Sequence, residues 1–166
     1  MRKVDLMEEE KYFKDEGELE NMARELIGMY HSEAATARVF YFFKTKHRKK
    51  GDKAVLGTCS LLNEKMQLMC PYDYCLEIAD DAWQQLNETQ RKALLLHELK
   101  HIQVVEGEDG ETKYRLRLHD LEEFSQVVKI FGLWKPDIVE FSKALEGKQE
   151  LKQEIQESKP KRTLRR

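Results

Sequence analysis

The chain has no apolar run near the roughly 20 residues that a membrane-crossing helix requires. Its first residues, Met1-Arg2-Lys3-Val4-Asp5, carry no secretory h-region. A cytoplasmic protein with no membrane partner is expected. The chain also lacks an excess of either charge: 29 basic residues against 31 acidic ones leave a net charge of -2. That excludes a global pull toward nucleic acid or an anionic membrane. Cysteine is scarce and odd in number. Cys59, Cys70 and Cys75 cannot form a fully paired secreted framework, so buried free thiols are expected. A structural zinc site on Cys70 and Cys75 would need two more ligands, and only His31 or His47 could supply any. There is no phosphate-cradling glycine loop and no serine beside a His/Asp arrangement. No repeat recurs at solenoid periods.

What remains is 166 residues, 40% hydrophobic and 36% charged. That suits one domain with tails. The expected division is a charged lead-in over residues 1–17, a domain over 18–146, and a charged helix with a basic tail over 147–166.

The chemistry concentrates in Ala93-Leu94-Leu95-Leu96-His97-Glu98-Leu99-Lys100-His101-Ile102. Leu95, Leu99 and Ile102 make an apolar stripe, and Asn87 before Glu88-Thr89-Gln90 reads as a capping box, so a helix is expected here. Residues four apart share a helix face. His97 and His101 can then aim at one ion, supplying two of the three protein ligands that a catalytic zinc takes. Glu98 stands beside the pair, placed to take a proton from a water at the metal. The competing reading is an amphipathic helix with two solvated histidines.

A third ligand is available in Lys113-Tyr114-Arg115-Leu116-Arg117-Leu118-His119-Asp120-Leu121-Glu122-Glu123-Phe124. Tyr114, Leu116 and Leu118 alternate with polar residues, as in a short strand. Asp120 with Glu123 resembles a helix start, which would place His119 at a helix entrance. Glu122 or Glu123 could bind instead, because zinc accepts carboxylates. Asp120 suits the role of orienting an imidazole through its second nitrogen.

His97-Glu98-Leu99-Lys100-His101, followed by His119-Asp120-Leu121-Glu122-Glu123-Phe124 and Gly132-Leu133-Trp134, resembles the phage metallopeptidase domain family. Val55-Leu56-Gly57-Thr58 and Ala82-Trp83-Gln84-Gln85-Leu86 fit the same resemblance, which runs from about Leu19 to Trp134. The chain is more distantly similar to SprT-like proteases, but Asp120 stands where their pattern has glycine. The resemblance implies a zincin-like fold and a zinc peptidase. His97, His101 and His119 would bind metal, Glu98 would act as the base, and protein or peptide would be the substrate.

Along the chain, helices are expected from Glu18 (with Leu19, Met22, Leu26, Met29 and Tyr30 inward), over Asp80 to Leu86, from Asp120 to about Phe131, and from Pro136 through Leu145. The helix from Asp120 would bury Leu121, Phe124, Val127, Val128 and Phe131. Trp134 would pack back on it. Strands are expected over Arg38 to Phe43, Ala54 to Leu62, Met66 to Met69 and Tyr74 to Ala79. His31 reads as a surface or dipole-facing residue. His47 to Lys53 reads as a basic solvated turn, and Glu106 to Thr112 as an acidic connector. The tail Lys159 to Arg166 could make weak DNA contact or serve only solubility. This order gives an α+β fold, zincin-like, with a mainly antiparallel sheet packed against the HExxH helix, flanking helices and a C-terminal helix and tail. The main functional alternative is a non-catalytic zinc-containing module that binds protein or DNA. A weaker alternative is a zinc hydrolase of some other bond.

Overall fold

In the computed structural model, residues 11–157 are described, with side chains up to residue 148. The expected tail contacts of Lys159 to Arg166 lie outside those residues. The chain divides into two units between Leu118 and His119. It is a mixed α+β structure rich in antiparallel pairing.

The first unit holds β1 (Tyr12–Lys14), α1 (Glu18–Tyr30), a 3-10 turn (Ser32–Thr36), β2 (Val39–Lys44), β3 (Arg48–Lys50), β4 (Lys53–Val55) and β5 (Gly57–Leu61). It continues with α2 (Glu64–Met69), β6 (Tyr74–Ala79), α3 (Asp80–Trp83), α4 (Glu88–Leu99), β7 (Ile102–Glu106) and β8 (Thr112–Leu116). The main sheet runs β1-β2-β6-β5. Its outer pairs are antiparallel, but the central pair β2 and β6 is parallel, from Val39 opposite Tyr74 to Lys44 opposite Ala79. Two antiparallel ribbons, β3-β4 and β7-β8, complete the strands.

The core gathers α1, α4 and the sheet: Leu19, Leu26, Phe43, Leu76, Ile78, Trp83, Leu95, Leu99 and Ile102 are buried together. At 25–30 cal/mol per Å2, burial of this apolar set is the main stabilising term of the unit. Trp83 joins the pieces. Its Nε1 donates to Glu18 Oε1 at 2.8 Å, and its carbonyl accepts from Arg91 Nε at 3.0 Å. Asp15 starts α1 by accepting from the N–H groups of Leu19 and Glu20 at 3.1 and 3.0 Å.

Several expectations are corrected. Met66 to Met69 is helical, not a strand. Glu64-Lys65-Met66-Gln67-Leu68-Met69 has no β-branched residue, and Asn63 caps it by accepting from Met66 N–H at 3.0 Å. The charged lead-in includes a strand, β1, on the sheet edge. The run from Ala54 to Leu62 is two strands broken at Leu56, whose carbonyl leaves its ribbon to accept from Ala79 N–H. His31 is 3% exposed rather than at the surface, because its Nε2 donates to the Ile102 carbonyl at 2.9 Å. All three thiols are free, and Cys59 is buried.

The second unit holds α5 (Ser125–Phe131) and α6 (Pro136–Glu157). The expected helix from Asp120 starts later, because residues 119–124 are irregular. Glu123 there turns back to accept from the next N–H, of Phe124, at 2.8 Å. No residue of α5 is buried; Phe124 and Phe131 are exposed, and Trp134 is about half exposed rather than packed away. Proline at the first position of α6 costs no hydrogen bond, and the helix continues through Gly147 without interruption.

Candidate metal centre

Asn87 and Gln90 form a complete capping box, each side chain taking the other's backbone N–H at 2.9 and 3.0 Å. That starts α4 nine residues before His97 and sets which face His97 presents. The helix ends at Leu99, two residues short of His101. The last turn tightens: His101 N–H donates to the Glu98 carbonyl, three residues back, at 3.2 Å. The two rings still meet, with centroids 5.3 Å apart and planes at 83°.

His101 is oriented from behind. Its Nδ1 lies 2.7 Å from the Arg117 carbonyl, which can only accept, so Nδ1 carries the proton and Nε2 the lone pair a metal takes. Arg117 N–H donates back to the His101 carbonyl at 2.8 Å. His119 opens the second unit. Two residues of chain span at most about 7 Å, so covalent continuity keeps His119 near the segment paired with His101. By their donor chemistry, His97, His101 and His119 are a group that could hold a metal ion. Glu123, the alternative ligand, has its own engagements: it accepts from Phe124 N–H and pairs with Lys135 at 3.3 Å.

Glu98 points inward and is 5% exposed. Burial pushes its carboxyl up to about 7, against the opposing pull of His101 and of the Cys59 N–H that donates to it. A group that titrates near neutrality can both accept and return a proton. Its wall is Gly57 on β5, where an added Cβ would stand 2.7 Å from Oε1, 2.8 Å from Cγ and 2.9 Å from Cδ. Burial, followed by the charge of Glu98, also pushes the Cys59 thiol up to about 12, so it stays protonated.

Motif reading missed this supporting set. Gly57 and the Cys59 N–H shape the seat of Glu98, while the Arg117 carbonyl orients His101. His31 fastens Ile102, the residue after His101, with its Nε2–H. One signal was present: a glycine inside a strand marks a close approach of another group. The backbone donors and acceptors carry no side-chain signature.

No helix among the described residues is long and apolar enough to cross a membrane. No curated protein and no solved structure matches the chain. The family model described as "Putative phage metallopeptidase" matches residues 10–158. That span covers nearly the whole sequence, capping box, histidine pair and glycine wall included, and the chain belongs to this phage metallopeptidase family.

Proposed function

We propose that this chain is a zinc-dependent metallopeptidase of the HExxH type, with a zincin-like arrangement of sheet and active-site helix. A metallopeptidase family implies a metal cofactor and a protein or peptide substrate. His97, His101 and His119 would hold the ion, and imidazole nitrogens suit zinc. When bound, zinc would supply the Lewis acidity that makes water easy to deprotonate near neutral pH.

The chain's own residues carry the proton. Glu98 takes it from water on a carboxylate oxygen as the new C–O bond forms at the peptide carbon. Glu98 then hands it to the peptide nitrogen as the C–N bond breaks, which leaves a carboxylic acid, holding the second water proton, and an amine. The observation that carries this reading is a carboxyl buried beside His101 and titrating at about 7. Gly57 and the Cys59 N–H hold that carboxyl in one place, so the base loses little freedom at the moment of reaction.

The test is cleavage of a denatured protein by zinc-loaded wild type and by Glu98→Gln. The isosteric amide keeps the fold and cannot accept the proton, so loss of at least about 100-fold in kcat is expected. Equal cleavage by both proteins would remove Glu98 as the base.

A further inference from the structure

The ribbon β3-β4 was expected to be a solvated turn, yet it is fastened at its base on two sides. His47 donates its backbone N–H to Asp81 Oδ1 at 2.9 Å, and its Nδ1 lies 2.8 Å from Asp81 Oδ2. Arg48 Nη2 donates to Thr58 Oγ1 at 2.9 Å, and that hydroxyl donates to the Gly57 carbonyl at 2.8 Å. Gly57 is the residue against the Glu98 carboxylate. A short chain of contacts therefore ties the ribbon to the wall of the proposed site.

Arg48, Lys50 and Lys53 share one face of the ribbon. Residues two apart on a strand point the same way, and Lys50 stands directly opposite Lys53. The reach of Arg48 to Thr58 shows that this face turns toward β5. Like charges directly opposite each other weaken a sheet pair. Among the described residues Lys50 and Lys53 make no ion pair that would offset this, and both are exposed. Lys49 points to the other face, opposite Ala54. No aromatic residue lies between His47 and Lys53, so there is no platform for stacking bases.

Lys53 lies four positions before Gly57, so the chain joining them spans at most about 13 Å. An extended peptide covers the same distance in about four residues. We propose that Lys50 and Lys53 read acidic side chains within about five positions of the bond placed at Glu98, so that the preferred substrates are acidic peptide segments. This proposal rests on the peptidase reading above.

The test uses two fluorescent peptides that differ only in carrying Asp-Asp or Asn-Asn pairs four residues either side of a central apolar dipeptide. Binding to zinc-loaded Glu98→Gln protein is followed by anisotropy at about 50 mM and about 300 mM salt. The acidic peptide should bind about fivefold to tenfold tighter at low salt, the range that two exposed charge contacts reach. The advantage should vanish at high salt and in K50E/K53E, and survive in K49E. K50Q/K53Q should abolish the advantage as well, and it replaces the double reversal should that variant fail to fold. Equal binding of the two peptides, a preference that survives K50E/K53E, or equal loss in K49E would overturn the proposal. So would K50E/K53E weakening a DNA duplex while leaving the acidic peptide bound. The peptidase reading fails separately, in the cleavage assay, and leaves these binding outcomes readable.

Discussion

Gly57 and Glu98 meet where a strand and a helix leave no space for a side chain: a Cβ on residue 57 would overlap Oε1, Cγ and Cδ of the glutamate at 2.7 to 2.9 Å. Because three atoms are involved, the carboxylate tip cannot simply rotate aside. Glu98 is 5% exposed, so the whole side chain has little room to swing. Gly57→Ala should therefore displace the Glu98 carboxylate. Overpacking of this kind costs about 1–3 kcal/mol, read as a lowered Tm. That loss should largely disappear when Gly57→Ala is made in a Glu98→Ala background, because the clashing atoms are gone. An equal loss in both backgrounds would show that Gly57 serves some other contact.

Glu98 also gives the metal-free protein a distinct pH dependence. Its carboxyl rises from an ordinary 4.5 to about 7 in the folded chain, chiefly by burial. Below about 4.5 both folded and unfolded states hold the proton, and this group contributes no slope. Between 4.5 and 7 the unfolded chain releases the proton while the folded chain keeps it, so stability falls as pH rises. The full loss, about 3 kcal/mol, is present above 7. Urea unfolding of chelator-treated protein at a series of pH values measures it. Glu98→Gln should flatten that segment, and an unchanged slope in the variant would assign the titration elsewhere.

In the first unit the exposed guanidinium of Arg38 pairs with the buried carboxylate of Asp73. Asp73 is 2% exposed and accepts from Arg38 N–H, Nε and Nη2 at 2.9, 3.1 and 2.8 Å. Burial alone would raise its pKa, but the hydrogen bonds and charge of Arg38 outweigh burial and the net direction is down. The stability it lends is present above the unfolded carboxylate pKa and is lost as pH falls through the lower folded value. Hydrogen bonds to a charged group contribute about 1.5–3 kcal/mol. Arg38 is largely exposed and its charge can turn to water, so Asp73→Ala should fall at the lower end. Thermal or urea denaturation decides this; a change below about 0.5 kcal/mol would place the pair among ordinary surface contacts.

The proposed third ligand can be tested without an activity assay. His119→Ala and His101→Ala should each weaken zinc binding by at least about 100-fold in competition with a chelator, beyond the 10–100-fold that outer groups cost. Glu123→Gln should change it little, since Lys135 and Phe124 N–H already engage that carboxylate. A loss in Glu123→Gln matching that of His101→Ala would transfer the ligand role to the glutamate. Glu122→Gln answers the same question for the other carboxylate.

Much of the local structure was written in the chain itself. Asn87 and Gln90 announce the start of α4 because a capping box uses only side chains and N–H groups three residues apart. Helical spacing placed His97 and His101 on one side although α4 ends at Leu99, and β2 stands out because its β-branched and aromatic residues are dense. Such signals are short-range, so they survive without knowledge of the fold. The α2 segment was misread because hydrophobicity alone does not separate a short strand from a short helix, and its unbranched side chains were the better guide.

Tertiary structure alone decided the surroundings of the glutamate and the second histidine. Gly57 and Cys59 lie about forty residues before Glu98 in sequence, and Arg117 sixteen after His101. Only the packing of β5 on α4, and the strand that returns past His101, bring them together. Their contributions are a missing Cβ, an N–H and a carbonyl, groups that every chain possesses and that gain meaning only from position. The same holds for His31, buried because the strand entering at Ile102 offers it a carbonyl. The residue types that could bind a metal were thus determined by the sequence. The pKa of Glu98, and the tautomer of His101, follow from burial and hydrogen bonds that exist only in the folded chain.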